Sequence, residues 1–260
     1  MKILVAIKQV PERDAQIHIA ADGTLAGRWI DESDLAYTIN EPDAYALEEA
    51  LQLKEKTGGE VVVLCAGPER VLTTLREALA KGADRAIHVD LPAEELAALD
   101  TLALAQLLAD AIRPESPDLI LTGLQSEDLG LGQTGVVLAE LLAIPHATLI
   151  LQVEPTDTGL RVKRELEDGW FQHVNMPLPS LLTIQSGGNK LRYATLMGIK
   201  KAKTKETRTV AASVAGSASS TPIDRIYLPE KQKKTQMLTG SPDEIAAQLI
   251  EKLRFEVRVI

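Results

Sequence analysis

The chain has 260 residues, of which 45% are hydrophobic and 25% are charged, so it can bury a sizeable core and is neither disordered nor fibrous. Its 37 acidic and 28 basic residues give a formal charge of −9, which argues against a broadly basic nucleic-acid-binding surface and against adsorption to an anionic membrane. A local basic patch is still compatible with this balance.

The cysteine and histidine content and the N-terminal segment indicate the compartment. The single cysteine, Cys65, cannot form an internal disulfide and is expected to be a small buried hydrophobe, and the four histidines lack the paired spacing of a zinc site. The first residues, MKILVAIKQV, are strand-like and resemble no targeting segment, and no stretch reaches the ~18 apolar residues that a membrane-spanning helix needs. We therefore expect a cytoplasmic protein without membrane insertion and without a metal site.

Strand-like and helix-like segments alternate up to Pro145. Strands are predicted at 2–8, 60–68, 86–89 and 119–122, and helices at about 41–57, 69–81, 97–112 and 135–143. This alternation predicts right-handed βαβ crossovers and an open parallel sheet with helices on both faces. The predicted fold class is α/β, with an open, Rossmann-like parallel sheet.

The pattern changes after Pro145. Strands are predicted at about 147–154, 160–166, 170–175 and 180–184, some of them antiparallel and all extending or flanking the sheet. From about 187 the chain becomes rich in glycine and lysine and then in small polar residues, so we expect an extended arm that lies on a partner. A last helix is predicted from Ser241, followed by a closing strand in FEVRVI. The chain is accordingly divided into a nucleotide-binding domain, 1–186, and a second part, 187–260.

The loop after the fourth predicted strand is the first candidate for a ligand site. In an open parallel sheet, ligands bind beyond the carboxyl ends of the strands where the strand order reverses, which is commonly between the first and fourth strands. This loop has glycines at 123, 130, 132 and 135, and it leads into a helix start at Gln133 and Thr134. Small residues and free helix N–H groups could cradle a phosphate. A flexible connection before an ordinary helix start explains the same residues, because the pattern is not that of a P-loop.

Residues near the first two strands have two interpretations as well. Ala6 and Ala66 could leave room for an adenine ring and ribose, or they could only allow close helix packing. Asn40 and Asp43 could belong to a ligand site, or they could simply cap a helix. His88, inside an apolar strand, is expected to be a satisfied core histidine. With no recognisable catalytic arrangement, the residues indicate a nucleotide-binding α/β protein without an obvious catalyst.

Five segments carry a recognisable combination of residues: KILVAIKQVP, NEPDAYALEEA, ALAKGADRAIHVD, GLQSEDLGLGQTG and VKRELEDGWFQHVNMPLPSLLT. The last segment holds the most specific pattern, which consists of Arg164, Glu167, Asp168, Gln172, Val174, Pro179, Leu181, Leu182 and Thr183. This combination, spread over nearly the whole chain, resembles the small (β) subunit of electron transfer flavoproteins.

The resemblance implies an αβ heterodimer with one redox-active FAD, held mostly by the α subunit, that passes electrons singly from flavin dehydrogenases, such as acyl-CoA dehydrogenases, to an acceptor. The β subunit would be an electron carrier without a catalytic site of its own, would hold AMP in a structural role, and would pack its terminal helix and arm on the α subunit. By position, the resemblance places the AMP site at Ala6, Asn40, Glu41, Pro42, Asp43, Ala66, Gly123, Leu124, Gln125, Ser126, Glu127, Asp128, Leu129, Gly130, Leu131, Gly132, Gln133 and Thr134.

The resemblance also implies a docking surface for the dehydrogenase. Leu196, in the run Tyr193-Ala194-Thr195-Leu196, corresponds to a leucine that inserts into an apolar pocket of the dehydrogenase, with Tyr193 beside it. Basic residues surround it in sequence: Arg192, Lys200, Lys201 and Lys203. An apolar centre with a charged rim is typical of a docking site. Alternatively, Leu196 packs into its own subunit and the lysines form a solvated face.

Two departures from the family pattern leave alternatives open. A non-aromatic stretch that includes Arg13 replaces an aromatic residue that some members place near the flavin, so Arg13 could put a positive charge there. The nucleotide loop ends in GQTG, which is closer to AMP-binding members than to bifurcating members that bind a second FAD. Outside the family, a stand-alone universal-stress-type nucleotide sensor is the alternative, whereas the loop after the first strand is unlike the pyrophosphate loop of adenylating enzymes.

Overall fold

The computed structural model describes residues 1–19, 30–212, 221, 223, 226–228 and 235–259. They belong to two compact units, Met1–Ile226 and Tyr227–Ile260. The strands of the first unit are β1 (Lys2–Ala6), β2 (Gln9–Pro11), β3 (His18–Ile19), β4 (Ile30–Asp31), β5 (Tyr37–Ile39), β6 (Glu60–Gly67), β7 (Arg85–Asp90), β8 (Leu119–Gly123), β9 (His146–Thr156), β10 (Gly159–Glu165), β11 (Phe171–Met176), β12 (Ser180–Ile184) and β13 (Thr207–Ala211). The helices are α1 (Glu41–Thr57), α2 (Val71–Lys81), α3 (Ala93–Ala98), α4 (Thr101–Ile112), α5 (Thr134–Leu142) and α6 (Leu196–Ala202), and the second unit contains α7 (Pro242–Lys252).

Nine strands of the first unit form one large sheet with the strand order β11-β10-β9-β12-β8-β1-β6-β7-β13, and β2 with β5 and β3 with β4 form two further two-stranded sheets among the described residues. The strands from β12 to β13 are parallel to their neighbours, whereas β10 is antiparallel to both β9 and β11. The predicted α/β class and the antiparallel strands after Pro145 are therefore confirmed. β1 lies between β6 and β8, so the strand order reverses next to β1, as predicted for the first and fourth strands.

Helices cover the central sheet on both faces. Along β1, Ile3 and Val5 belong to one apolar cluster with residues of α1 and α2, whereas Leu4 belongs to a second cluster with residues of α4 and α5. This alternation follows from the two-residue period of a strand, and a strand buried on both faces is continuously apolar. The uninterrupted run KILVA is therefore the sequence signature of a central strand.

Two helix boundaries agree with the sequence and one does not. α1 and α2 end at Gly58 and Gly82, as predicted. The helix predicted over 97–112 is instead two helices, because the Asp100 side chain accepts a hydrogen bond from the backbone N–H of Ala103 at 2.9 Å and so caps a new helix, α4.

The region after 187 differs from the sequence expectation. β13 pairs in parallel with β7 and extends the sheet of this chain, so the extended arm does not include these residues. The short helix α6 precedes it. Residues 213–220 of the Ala/Ser-rich stretch in the predicted arm lie outside the described residues.

The prediction of a closing strand in FEVRVI is wrong. Leu253–Val257 continue α7 as a wide, π-helical turn. The alternation of apolar and charged residues favoured a strand, but local contacts hold the helical path: Lys252 pairs with Glu256 at 2.9 Å, and the backbone N–H of Val259 bonds to the carbonyl of Leu253. At the start of α7, Ser241 and Glu244 form a reciprocal capping box, in agreement with the predicted start.

One carboxylate joins three strands at the amino-terminal edge of the sheet. Glu115, with a nearly buried side chain, pairs with Lys2 of β1, Arg85 of β7 and Arg208 of β13. The hydrogen bond from Arg85 is the main cause that lowers the pKa of Glu115 to about 2. This cluster fixes the edge of the sheet opposite to the candidate site.

Candidate nucleotide-binding site

The carboxyl ends of β6, β1 and β8 lie side by side and form the floor of the site. Ala6 and Ala66, at the ends of β1 and β6, are partly exposed although the strand residues before them are buried. A Cβ added at Gly123, the end of β8, would lie 2.4 Å from Asp43 Oδ1 and 2.7 Å from Pro42 Cβ. Only glycine therefore lets the start of α1 approach this strand end.

Asp43 connects the ends of two strands. The backbone N–H of Lys8 donates to Oδ2 at 2.7 Å, and the backbone N–H of Gly123 donates to Oδ1 at 2.8 Å. Burial raises the pKa of Asp43 to about 7, against the opposing effect of these two hydrogen bonds. The capping interpretation of Asp43 is wrong, because both oxygens bind N–H groups outside its own helix.

Asn40 connects the start of α1 to the glycine-rich loop. Its Nδ2 donates to the carbonyl of Gln125 at 3.0 Å, and its Oδ1 accepts from the backbone N–H of Glu127 at 2.9 Å. It stands at the cap position of α1, yet its side chain makes no capping hydrogen bond. Capping explains the position of Asn40 but not its contacts, which hold the loop against the helix start.

Two basic side chains pair with carboxylates of the glycine-rich loop. Lys8 Nζ pairs with Asp128 at 2.6 Å and contacts Ser126 Oγ at 3.3 Å, and Arg13 pairs with Glu127 at 2.8 Å and with Glu41 at 3.0 Å. Desolvation opposes ionisation of Asp128, but the charge and hydrogen bond of Lys8, together with the hydrogen bonds from Ser126 and Leu129, outweigh it and lower the pKa of this carboxyl.

These pairs also bear on the role of Arg13. Its charge is paired with two carboxylates of this chain, so the predicted effect of Arg13 on a flavin would require those pairs to break.

The loop from 124 to 133 brings the start of α5 to the site. Gly130 and Gly132 have φ values of +64° and +63°, in the left-handed region that favours glycine. α5 begins at Thr134, its cap residue Gln133 makes no side-chain hydrogen bond to the helix, and its first turn has no acidic residue. The first N–H groups of α5 are thus left for an anion, which the helix dipole also favours.

The fold thus brings together the adjoining ends of β1, β6 and β8, the start of α1 and the glycine-rich loop, and the residues predicted for the AMP site lie on these elements. Sequence reasoning missed two contributors. Lys8 fixes the loop through Asp128, and Gln9 Nε2 donates to the Arg70 carbonyl and to Thr74 Oγ1 at 3.2 and 2.9 Å. Both residues could have been found from their position, because they directly follow the first strand, next to which the strand order reverses.

The predicted docking residues lie elsewhere on the first unit. Leu196 is 82% exposed and Tyr193 is 90% exposed, so the alternative that Leu196 packs into its own subunit is wrong. Met197 and Ile199 of α6 are exposed next to them. These four residues, Tyr193, Leu196, Met197 and Ile199, are called the docking patch below.

His88 and Cys65 have the structural roles predicted for them. A ring nitrogen of the buried His88 lies 2.8 Å from the carbonyl oxygen of Gly67. Cys65 is completely buried, which raises the pKa of its thiol to about 12. Within the described ranges, no helix combines the length and apolarity needed to cross a membrane.

Comparison with known proteins gives a consistent assignment. A family model described as electron transfer flavoprotein domain matches residues 28–215. The chain is 41% identical to the electron transfer flavoprotein subunit beta of Methylophilus methylotrophus, over 96% of this chain and 97% of that protein. Proteins of the same name from Syntrophomonas wolfei and Homo sapiens are 35% and 33% identical, over 100% and 98% of this chain and 98% and 97% of their own. The fold, the gathered strand-end loops and these full-length similarities together place the chain in the electron transfer flavoprotein family, as a β subunit.

Proposed function

We propose that this chain forms a heterodimer with an electron transfer flavoprotein α subunit, carries electrons from flavin dehydrogenases such as acyl-CoA dehydrogenases to a downstream acceptor, and holds AMP as a structural ligand. FAD, shared with the α subunit and held mostly by it, supplies the one-electron redox chemistry when bound. The β chain itself contributes no catalytic group in this proposal.

The contacts of Asn40 and Asp43 are the observation that supports a structural ligand best. Both side chains are buried and both use their polar atoms to join separate loops around the strand ends. Groups engaged in this way are poorly placed to abstract or deliver protons to a substrate. A ligand in this site would complete the connections between the loops.

The residues present fit an adenine mononucleotide. The partly exposed Ala6 and Ala66 leave apolar space at the floor of the site, where a flat base and ribose would lie. Gln133, Thr134 and the first N–H groups of α5 would hold the phosphate, since no side chain caps this helix start.

The docking patch supports a role in binding the dehydrogenase. Its apolar side chains are exposed, and Lys200, Lys201 and Lys203 provide basic groups on and next to the same short helix. We propose that Leu196 inserts into an apolar pocket of the electron donor while these lysines meet acidic groups at its rim.

The nucleotide content of the heterodimer tests the proposal. The chain is co-expressed with its α subunit, the purified complex is denatured, and the released nucleotides are identified and counted by chromatography and mass. One FAD and one AMP per heterodimer are expected. Two FAD would assign the chain to the bifurcating class, and ATP, or failure to bind an α subunit, would favour a nucleotide sensor.

A Leu196→Ala variant tests the docking role. It should lower the rate of flavin reduction by the dehydrogenase while the flavin content stays intact. Leu102→Ala, which truncates an exposed leucine on α4, is the matched control and should leave the rate unchanged. Equal rates for Leu196→Ala and the unmodified heterodimer would refute docking through this patch.

A further inference from the structure

The segment that leads into the docking patch, residues 185–195, has no regular secondary structure, yet it is fixed to α1 by two side chains. Asn189 Nδ2 donates to Glu49 at 3.1 Å and to the Tyr45 carbonyl at 3.4 Å. Arg192, three residues further on, makes the larger set of contacts. It lies directly before Tyr193, the first residue of the patch.

Arg192 forms a bidentate, hydrogen-bonded ion pair with Glu48. Its Nε lies 2.8 Å from Glu48 Oε2 and its Nη2 lies 2.9 Å from Glu48 Oε1, while Nη1 reaches Glu55 at 2.6 Å. The Glu48 carboxylate is only 5% exposed, so water screens this pair little. The hydrogen bond from Arg192 lowers the pKa of Glu55, in agreement with a formed pair.

The far side of the patch is fixed as well. Thr195 caps α6 by accepting a hydrogen bond from the Gly198 N–H at 3.0 Å. A Cβ at Gly198 would lie 2.2 Å from the Ala80 carbonyl oxygen, so α6 lies directly against α2. The patch is therefore held between a contact to α1 before it and a packed helix within it.

We propose that Arg192, through Glu48 and Glu55, is a positioning residue that holds Tyr193 and Leu196 in the geometry in which the electron donor binds them. This inference rests on the proposed function of the docking patch. Holding an exposed anchor in its bound geometry before the encounter removes part of the ordering cost of association. Without the Arg192 contacts, the segment 185–195 would have to be ordered at each encounter.

The chemistry of the contact requires arginine. A lysine ammonium keeps the charge but cannot present two parallel N–H groups to both oxygens of Glu48. Arg192→Lys therefore separates a geometric role from a general attraction of positive charge for an acidic partner, because it changes the first and preserves the second.

The test uses the purified, flavin-loaded heterodimer, with an acyl-CoA dehydrogenase that reduces the unmodified protein as the electron donor. Arg192→Lys and Glu48→Gln should each raise the KM for the heterodimer about tenfold and leave kcat within about twofold, because only binding is affected. The double variant should be no worse than Arg192→Lys alone, since both changes disrupt the same Arg192–Glu48 pair. Arg113→Gln, which breaks the exposed pair with Asp110 on α4, is the matched control and should have no effect on KM.

Hydrogen–deuterium exchange of the heterodimer alone provides a readout that does not depend on the donor. The amides of 193–199 should exchange faster in Arg192→Lys than in the unmodified protein, while those of β1 and β8 stay unchanged. An unchanged KM in Arg192→Lys would overturn the inference, and so would unchanged exchange.

Leu196→Ala, measured in parallel, separates this inference from the function on which it rests. A raised KM for Leu196→Ala with an unchanged KM for Arg192→Lys would overturn only the positioning role. An unchanged KM for Leu196→Ala would overturn docking through the patch, and the positioning role with it.

Discussion

Replacing Asp43 with asparagine should destabilise the protein by an amount that depends on pH. The folded-state pKa of about 7 lies above the value of about 3.9 for an unfolded aspartate, so the folded state binds the proton more tightly. The stability that this group contributes is complete below the unfolded pKa and is lost as the pH rises through about 7. For these two pKa values the loss between about pH 5.5 and about pH 8 is about 2 kcal/mol.

The asparagine side chain cannot ionise and keeps only one acceptor for the two N–H groups of Lys8 and Gly123. Leaving one buried N–H group unsatisfied costs about 1–3 kcal/mol. The unmodified protein loses about 2 kcal/mol of stability between about pH 5.5 and about pH 8 and the variant does not, so the destabilisation caused by the substitution should be about 2 kcal/mol smaller near pH 8 than near pH 5.5.

Urea unfolding of the heterodimer at both pH values and at one protein concentration measures this difference. Asp118→Asn is the matched control, because Asp118 also accepts a backbone N–H, that of Lys2, but is exposed to solvent. It measures what the same substitution does to a carboxyl that accepts a backbone N–H at the protein surface. A difference for Asp43→Asn that stays constant or grows with pH would refute the assignment of a desolvated, titrating carboxyl at this site.

Three further substitutions test other parts of the structure. Gly123→Ala should lower both the content of the proposed nucleotide and the melting temperature, because the added Cβ would overlap Asp43. The nucleotide released on denaturation and a thermal melt measure these effects, and an unchanged nucleotide content would contradict the prediction. Glu115→Gln should lower the free energy of unfolding, measured in urea at neutral pH, by about 3 kcal/mol, because the basic side chains of three strands lose their shared carboxylate. A loss under ~1 kcal/mol would argue against a stabilising role of this cluster. Asn40→Ala should reduce AMP retention during dialysis without loss of α1 helicity, because it frees the loop at Gln125 while no capping bond is lost; a fall in helicity alone would indicate a capping role.

Local sequence patterns predicted the central strands of the sheet and the ends of two of its helices. The uninterrupted apolar runs of β1, β6 and β8, and the glycines that end α1 and α2, determine these elements through short-range rules, so their positions follow from sequence. The position of the site could also be predicted, because the reversal of strand order depends only on which strands adjoin.

Long-range contacts explain what the sequence could not reveal. Asn40 satisfies every rule for a helix cap, and its actual partners lie 85 and 87 positions away. β13 has polar residues at most positions, so its local sequence does not indicate a strand. It is a strand because it pairs with β7, a long-range contact that no local pattern predicts. FEVRVI has a strand-like alternation, yet the helix before it continues, because local hydrogen bonds satisfy its backbone.

Helix α1 relates the two proposed sites to each other. Its start joins the nucleotide loops through Asn40 and Asp43, and its later turns hold the docking segment through Glu48 and Glu55. The helix has 17 residues, and at about 1.5 Å per residue the contacts of Asp43 and Glu55 are separated by about 18 Å along its axis. The contacts of the same segment with Tyr45 and Glu48 lie closer to the start of the helix. If the proposed structural ligand fixes the start of α1, it would also stabilise the helix to which Arg192 is bound, and this would be a physical reason for the proposed electron carrier to retain a non-catalytic nucleotide.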